Sequence, residues 1–412
     1  MAGLRQAVER ARENGLIPKS GAISVVSLLR QFRPVPKSSV RALILAMFAS
    51  TAKPMPWAVI LCRFKGEVAN PAVEKPIEDF YRGIFTPGTG GLVEYWRDAS
   101  LGAITITGSK VFGWLELDIK RVNAGIGSGT TRSTLVDAAI RAATLHDPNA
   151  LNGFVSQIAV LTQNWAKDGA PPGADWRTPE WNPFWIDGSA DGRGKVTLTP
   201  PHDGNITAHE MGHGFSMQHD VSADFQTHYA DPCCIMSQQH AFFDPVWKRS
   251  FGPSVCVPHL IQRNWMYANR IFQDSGAWMS KGITATLAPV DEPGSRANLA
   301  IKLAFTKNST TNWDYYIQYV RPTNWNQGLG TPTIFIRRIG PGKDIGPTPA
   351  ILGSISVPNV VGTKADFVEP SGNVRFQVER LDPEGRIVQV HAARNLSSDA
   401  IHLRSDHVLL PH

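Results

Sequence analysis

The chain has 412 residues, of which 42% are hydrophobic and 18% charged, with a formal net charge of +6. That balance excludes a disordered chain, and the length exceeds one ordinary core, so two or three folded domains are expected. The mild positive charge comes without a dense Lys/Arg cluster interleaved with aromatics, which excludes a nucleic-acid footprint.

Residues 1–55 read as a basic helical pre-segment, either a prodomain or a packing arm. Arg5, Glu9, Arg10, Arg12 and Glu13 interrupt the first twenty residues, so no apolar secretory signal is expected there. Val25 to Phe32 and Val40 to Ala49 are predicted as two short helices joined through Pro34 and Pro36. The apolar run Leu43 to Ala49 is too short to span a membrane, and no transmembrane segment is predicted.

A first large domain is expected over residues 56–278. Ala58 to Phe64, Ala103 to Thr107, Phe112 to Ile119 and Phe154 to Leu161 are apolar or alternating runs of strand length. Ser133 to Leu145 places Leu135, Ala138, Ala142 and Leu145 at helical spacing behind a Ser/Thr cap. Trp165, Trp176, Trp181 and Trp185 then sit among prolines, either as an aromatic rim on a cleft or as a loop pinned onto the sheet. The stretch Asp187 to Gly192 could hold Ca²⁺, although its spacing is not that of an EF-hand loop and a plain turn explains it as well. Pro258 is expected to open a helix running to Phe272. Beyond it, residues 279–412 read as a β-rich domain. Its strand candidates are Ile283 to Leu287, Leu299 to Phe305, Tyr315 to Val320, Thr333 to Ile339, Val374 to Leu381 and Ile387 to Ala392, a count that suggests an antiparallel sandwich.

The chemistry-bearing stretch is His209-Glu210-Met211-Gly212-His213, followed by His219 and Asp220. On a helix, His209 and His213 lie one turn apart on the same face, so both imidazoles can reach one metal ion. Glu210 falls on the adjacent face, where it can take a proton from water without being a ligand. His219 joins them only if the helix stops just after His213, and Gly214 can end it. Asp220 is expected either to steady a ligand histidine or to be a simple turn carboxylate. Of the other histidines nearby (His202, His228 and His240), His228 is the reserve ligand if the chain fails to bend. Cys62, Cys233, Cys234 and Cys256 allow one or two disulfides or none; Cys256 with one member of the adjacent pair is the plausible bridge.

His-Glu-x-x-His with a third His at plus ten, followed by Met236 within Cys234-Ile235-Met236-Ser237, resembles the metzincin clan of zinc endopeptidases. The resemblance implies an α+β catalytic domain built on a twisted mixed sheet, with a zinc helix and a closing helix, here ahead of the β-sandwich. It implies one catalytic Zn²⁺ on His209, His213 and His219, Glu210 as general base, Met236 in a turn beneath the metal, and a protein or peptide substrate. It also leans towards an extracellular protein. Two departures stand out: Ser216 occupies the place of the clan's usual Gly, and Gln238 stands where some branches carry a Tyr. The Trp-rich approach Asp175-Trp176 to Trp185-Ile186-Asp187, the segment Lys195 to Pro200, and the downstream Tyr315 to Arg321 and Thr333 to Ile336 are most similar to immune-inhibitor-A-like and gametolysin-like peptidases. Two readings from other classes remain: a zinc-stabilised binding or scaffold protein, and a zinc hydrolase of a non-peptide amide.

Overall fold

The computed structural model describes residues 52–123, 132–145, 147–161, 194–199, 203–237, 240–245, 248–306, 312–341 and 347–395. Most of the pre-segment, the Trp-rich stretch 165–186, the Asp187 to Gly192 loop, His202 and Gln238 lie outside the described residues.

Strand β1 (Trp57–Arg63) is apolar on both faces and buried along almost its whole length, so it needs cover on both sides. It is central in a four-stranded sheet of order β2-β1-β3-β4, with β2 (Lys110–Glu116), β3 (Ser156–Leu161) and β4 (Lys195–Leu198). Val59, Leu61, Ile158, Val160, Val196 and Leu198 share one core with Tyr81 and Ile84 of α1 (Pro71–Ile84) and Tyr95 and Trp96 of α2 (Leu92–Ala99). Ile60, Cys62, Ala159 and Leu161 face the opposite side, under Leu135, Val136 and Ala139 of α3 (Arg132–Thr144). All three described strand pairings are parallel, where a mixed sheet was expected. Helices explain it, because α1 and α2 carry the chain from β1 to β2, and α3 carries it from β2 to β3. The expected strand at Ala103 to Thr107 shrinks to Ile104–Thr105, paired with Lys53–Pro54.

The C-terminal half packs two sheets face to face. One has the order β10-β9-β8-β7-β5, comprising β5 (Ile271–Asp274), β7 (Ala300–Thr306), β8 (Asn312–Val320), β9 (Thr333–Pro341) and β10 (Pro347–Ser356). The other has the order β6-β13-β12-β11, comprising β6 (Ile283–Leu287), β11 (Lys364–Val368), β12 (Val374–Arg380) and β13 (Val388–Arg394). Leu303, Ile317, Tyr319 and Ile336 from the first sheet interdigitate with Leu287, Phe376, Val378 and Val390 from the second in one apolar core. The pairings are antiparallel except β5 on β7. The molecule is therefore α+β, with more strand than helix.

The helix expected from Pro258 to Phe272 is a single short helix, α5 (Val257–Gln262). Asn264 ends it at φ 56°, in the left-handed region. The Trp265 N–H donates to the Leu260 carbonyl at 2.8 Å and the Asn264 N–H to that of Ile261 at 3.0 Å, the double bond of a Schellman cap. Ile271 and Phe272, assigned to that helix, instead belong to β5 and join the sandwich.

Candidate metal centre

Helix α4 (Gly204–Gly214) starts at Asp203, whose Oδ1 accepts the Asn205 N–H at 2.8 Å and the Ile206 N–H at 3.4 Å. Three glycines lower its intrinsic helicity, and each is needed for close packing. A Cβ on Gly204 would overlap the Phe251 ring, on Gly212 the Met236 sulfur, and on Gly214 the Trp57 ring. Met236 thus sits directly against the histidine-bearing helix, in a 3-10 turn over Ile235–Ser237. Gly214 is the helix's last residue, but the bend is made two residues later. Ser216 holds φ 62°, with its N–H on the His213 carbonyl at 2.7 Å and the Met217 N–H on Gly212 at 3.0 Å. This is another Schellman cap, with serine at the left-handed position where glycine is normally favoured.

That bend returns His219 to the helix. His219 Nε2 lies 2.8 Å from His213 Nε2 and 3.3 Å from His209 Nε2. The outer nitrogens are anchored: His209 Nδ1–H donates to the Ile235 carbonyl at 2.9 Å, and His213 Nδ1–H to the Met217 carbonyl at 2.9 Å. Those bonds fix the tautomer that leaves both Nε2 lone pairs pointing inward, the usual support of a metal-bound imidazole. Burial pushes His209 well below the ordinary histidine range, reinforced by His213 and His219. Burial, then His213 and His228, lowers His219 to about 3. His209 and His219 are therefore neutral near pH 7, the form a metal takes. Three convergent neutral nitrogens suit a divalent cation such as zinc. Among the described residues no fourth His, Cys, Asp or Glu joins the group. Glu210 is buried on the same helix, 4% exposed.

His228 does not serve as the third donor; its ring stands edge-on to His219 with centroids 5.6 Å apart. His240 Nδ1 lies 3.3 Å from the Gly328 carbonyl, away from the group. Asp220 meets neither a triad histidine nor a turn amide. It is wholly buried, with Oδ1 3.2 Å from His259 Nε2. All four cysteines are buried and free; Cys62 lies on the far face of the parallel sheet.

Two features escaped sequence reasoning. Tyr229 lays its ring over His219, centroids 4.3 Å apart, and is 43% exposed. It is ten residues beyond His219 in irregular chain, where no period marks it. The second is a buried strap on the Met236 turn. Arg337 of β9 pairs with Asp231 through both carboxylate oxygens, and donates to the Cys233 carbonyl at 3.2 Å and to Gln318 Oε1 at 2.9 Å. Arg337 and Asp231 are both fully buried. Val221 adds a backbone link. Its N–H donates to the Pro349 carbonyl at 2.9 Å, and its carbonyl accepts the Ile351 N–H at 2.9 Å, so β10 holds the segment just after His219. The sandwich thus braces the segments that follow His219 and carry Met236, which explains an Arg alternating with apolar residues in a strand.

No protein-family profile matches the chain, and no curated protein does. Among solved structures, the chain is similar to a catalytically inactive OgpA from Akkermansia muciniphila, in complex with an O-glycopeptide (glycodrosocin) substrate. The TM-score is 0.30 at 10% identity, over 83% of this chain and 93% of that one. Among the described residues no helix is long and apolar enough to cross a membrane.

Proposed function

We propose that this protein is a zinc-dependent endopeptidase of metzincin type, with the catalytic unit over about residues 56–270 and the sandwich as its scaffold. The observation that carries the reading is the convergence of the His209, His213 and His219 Nε2 atoms, 2.8 Å and 3.3 Å apart along the chain of three, beside a buried Glu210. His209, His213 and His219 would hold the ion. Bound Zn²⁺ supplies Lewis acidity towards a peptide carbonyl and lowers the pKa of water. Glu210 accepts the proton of the attacking water and delivers it to the leaving amine. Met236 and Gly212 set the depth at which the two helical histidines sit. Tyr229, whose partly exposed ring lies against His219, would donate its hydroxyl to the carbonyl oxygen as charge develops there. A scaffold role would call for a closed, four-ligand site. The three-donor set with an adjacent carboxylate favours catalysis instead.

Glu210→Gln tests this. The variant is expected to fold and retain its metal while hydrolysis falls by about 10²–10⁴-fold. Undiminished hydrolysis would remove Glu210 from the mechanism.

A further inference from the structure

Directly behind the histidine triad lies a second group of donors. Asp220, Cys234, Cys256 and His259 each offer one ligand atom, and those atoms all lie within 4.8 Å of one another. All four residues are 0% exposed. His259 Nε2 is 3.2 Å and Cys256 Sγ 3.7 Å from Asp220 Oδ1. Zinc bound tetrahedrally through O, N and S holds its ligand atoms about 3.3–3.8 Å apart, so these spacings already match.

The surroundings also ask for a cation. Gln262 donates its side-chain N–H to the Pro347 carbonyl at 3.1 Å, which turns its Oε1 towards His259 Nδ1 at 3.3 Å. His259 thus engages Gln262 through Nδ1 and presents Nε2 to the Asp220 carboxylate. The two groups face each other out of water, and neither His259 Nε2 nor Asp220 Oδ2 has a hydrogen-bond partner. A buried carboxylate left in that state is costly. Among the described residues no Lys or Arg pairs with it, and its contacts are His259 and the Cys256 thiol. Cys234 sits on the same spot, its sulfur accepting the Cys256 N–H at 3.4 Å.

We propose that Asp220, Cys234, Cys256 and His259 form a second, closed metal site that holds a structural Zn²⁺. On binding, both thiols release their protons to solvent, the carboxylate and Nε2 each give a lone pair, and no open position remains. The four ligands come from three separate segments: the irregular chain after His219, the turn carrying Met236, and α5 with its N-cap Cys256. The ion ties those segments together, so it positions the triad through the His219–Asp220 peptide bond and through Cys234, two residues before Met236. It does not depend on the peptidase reading, because a closed site does no hydrolysis.

The test is metal counting on the full chain purified under reducing conditions and supplied with Zn²⁺, then with Co²⁺. Wild type is expected to carry two ions per chain and His213→Ala one. Cobalt-loaded His213→Ala should keep an intense near-ultraviolet sulfur-to-cobalt band, which three imidazoles cannot produce. Replacing both sulfurs, Cys234→Ser with Cys256→Ser, should abolish that band. If that variant fails to fold, the wild-type and His213→Ala readings decide without it. One ion per wild-type chain without the sulfur band, with all thiols reactive after denaturation, would overturn the proposal in favour of a proton shared by Asp220 and His259. An intact mass two hydrogens lighter would overturn it in favour of a Cys234–Cys256 disulfide. Loss of hydrolysis alone would bear on the triad and leave this site standing.

Discussion

Two donor groups meet at the peptide bond between His219 and Asp220, and they face different surroundings. On one side, His219 is only partly buried, Tyr229 beside it is 43% exposed, and the group offers three nitrogens. On the other, two thiols, a carboxylate and an imidazole are sealed from solvent. On the proposed reading, openness rather than donor type separates a site that reacts from one that holds its neighbours. One buried turn serves both, because Cys234 faces the sealed group while Met236 packs against Gly212 under the open one.

The largest effect should come from the open side. His213→Ala is expected to lose the triad ion and reduce peptide cleavage to background, as read by metal analysis and a fluorogenic peptide assay. Activity persisting in that variant would break the comparison outright. Next is the shared turn. Arg337→Met leaves Asp231 buried without its partner and should destabilise the fold by about 3–5 kcal/mol in denaturant titration. A loss under about 1 kcal/mol would show that the turn does not depend on the sandwich. Tyr229→Phe sharpens the open side. Removal of the hydroxyl is expected to lower kcat about 10²-fold with KM little changed, whereas an unaltered kcat would reduce the ring to packing. The smallest effect is at the bend. Ser216→Gly relieves a left-handed residue and should raise stability by about 1 kcal/mol, seen as a higher Tm.

The open side was legible in the sequence because its donors sit on one helix and the next turn. A spacing of four residues has only one meaning on a helix, and His219 needed only a stop. The position of that stop was not legible, since Ser216 is a poor advertisement for a left-handed turn that glycine would have announced. Strand identities in the sandwich were also readable from alternation, as at Tyr315 to Val320 and Val374 to Leu381. Other elements were hidden by misleading local signals. Pro71 opens α1 and Pro76 lies inside it, so a helix with Ile77, Tyr81 and Ile84 on its buried face reads as broken. Beyond α5, Trp265, Ala268 and Ile271 keep helical spacing, yet Asn264 has already ended the helix. The sealed group could not be found by spacing at all. Asp220, Cys234, Cys256 and His259 come from three segments that meet only in the folded chain, and each alone reads as a turn carboxylate, a buried thiol or a core histidine.

The most direct measurement is on the reaction. Purified protein would be incubated with a random peptide library and with denatured casein, with and without a zinc chelator, alongside Glu210→Gln, and the products read by mass spectrometry. Internal cuts are expected that vanish with chelator, return on adding Zn²⁺, and are absent in Glu210→Gln. A wild-type preparation shown to carry the triad ion that makes no cut, or makes the same cuts with Glu210→Gln, would contradict the peptidase reading.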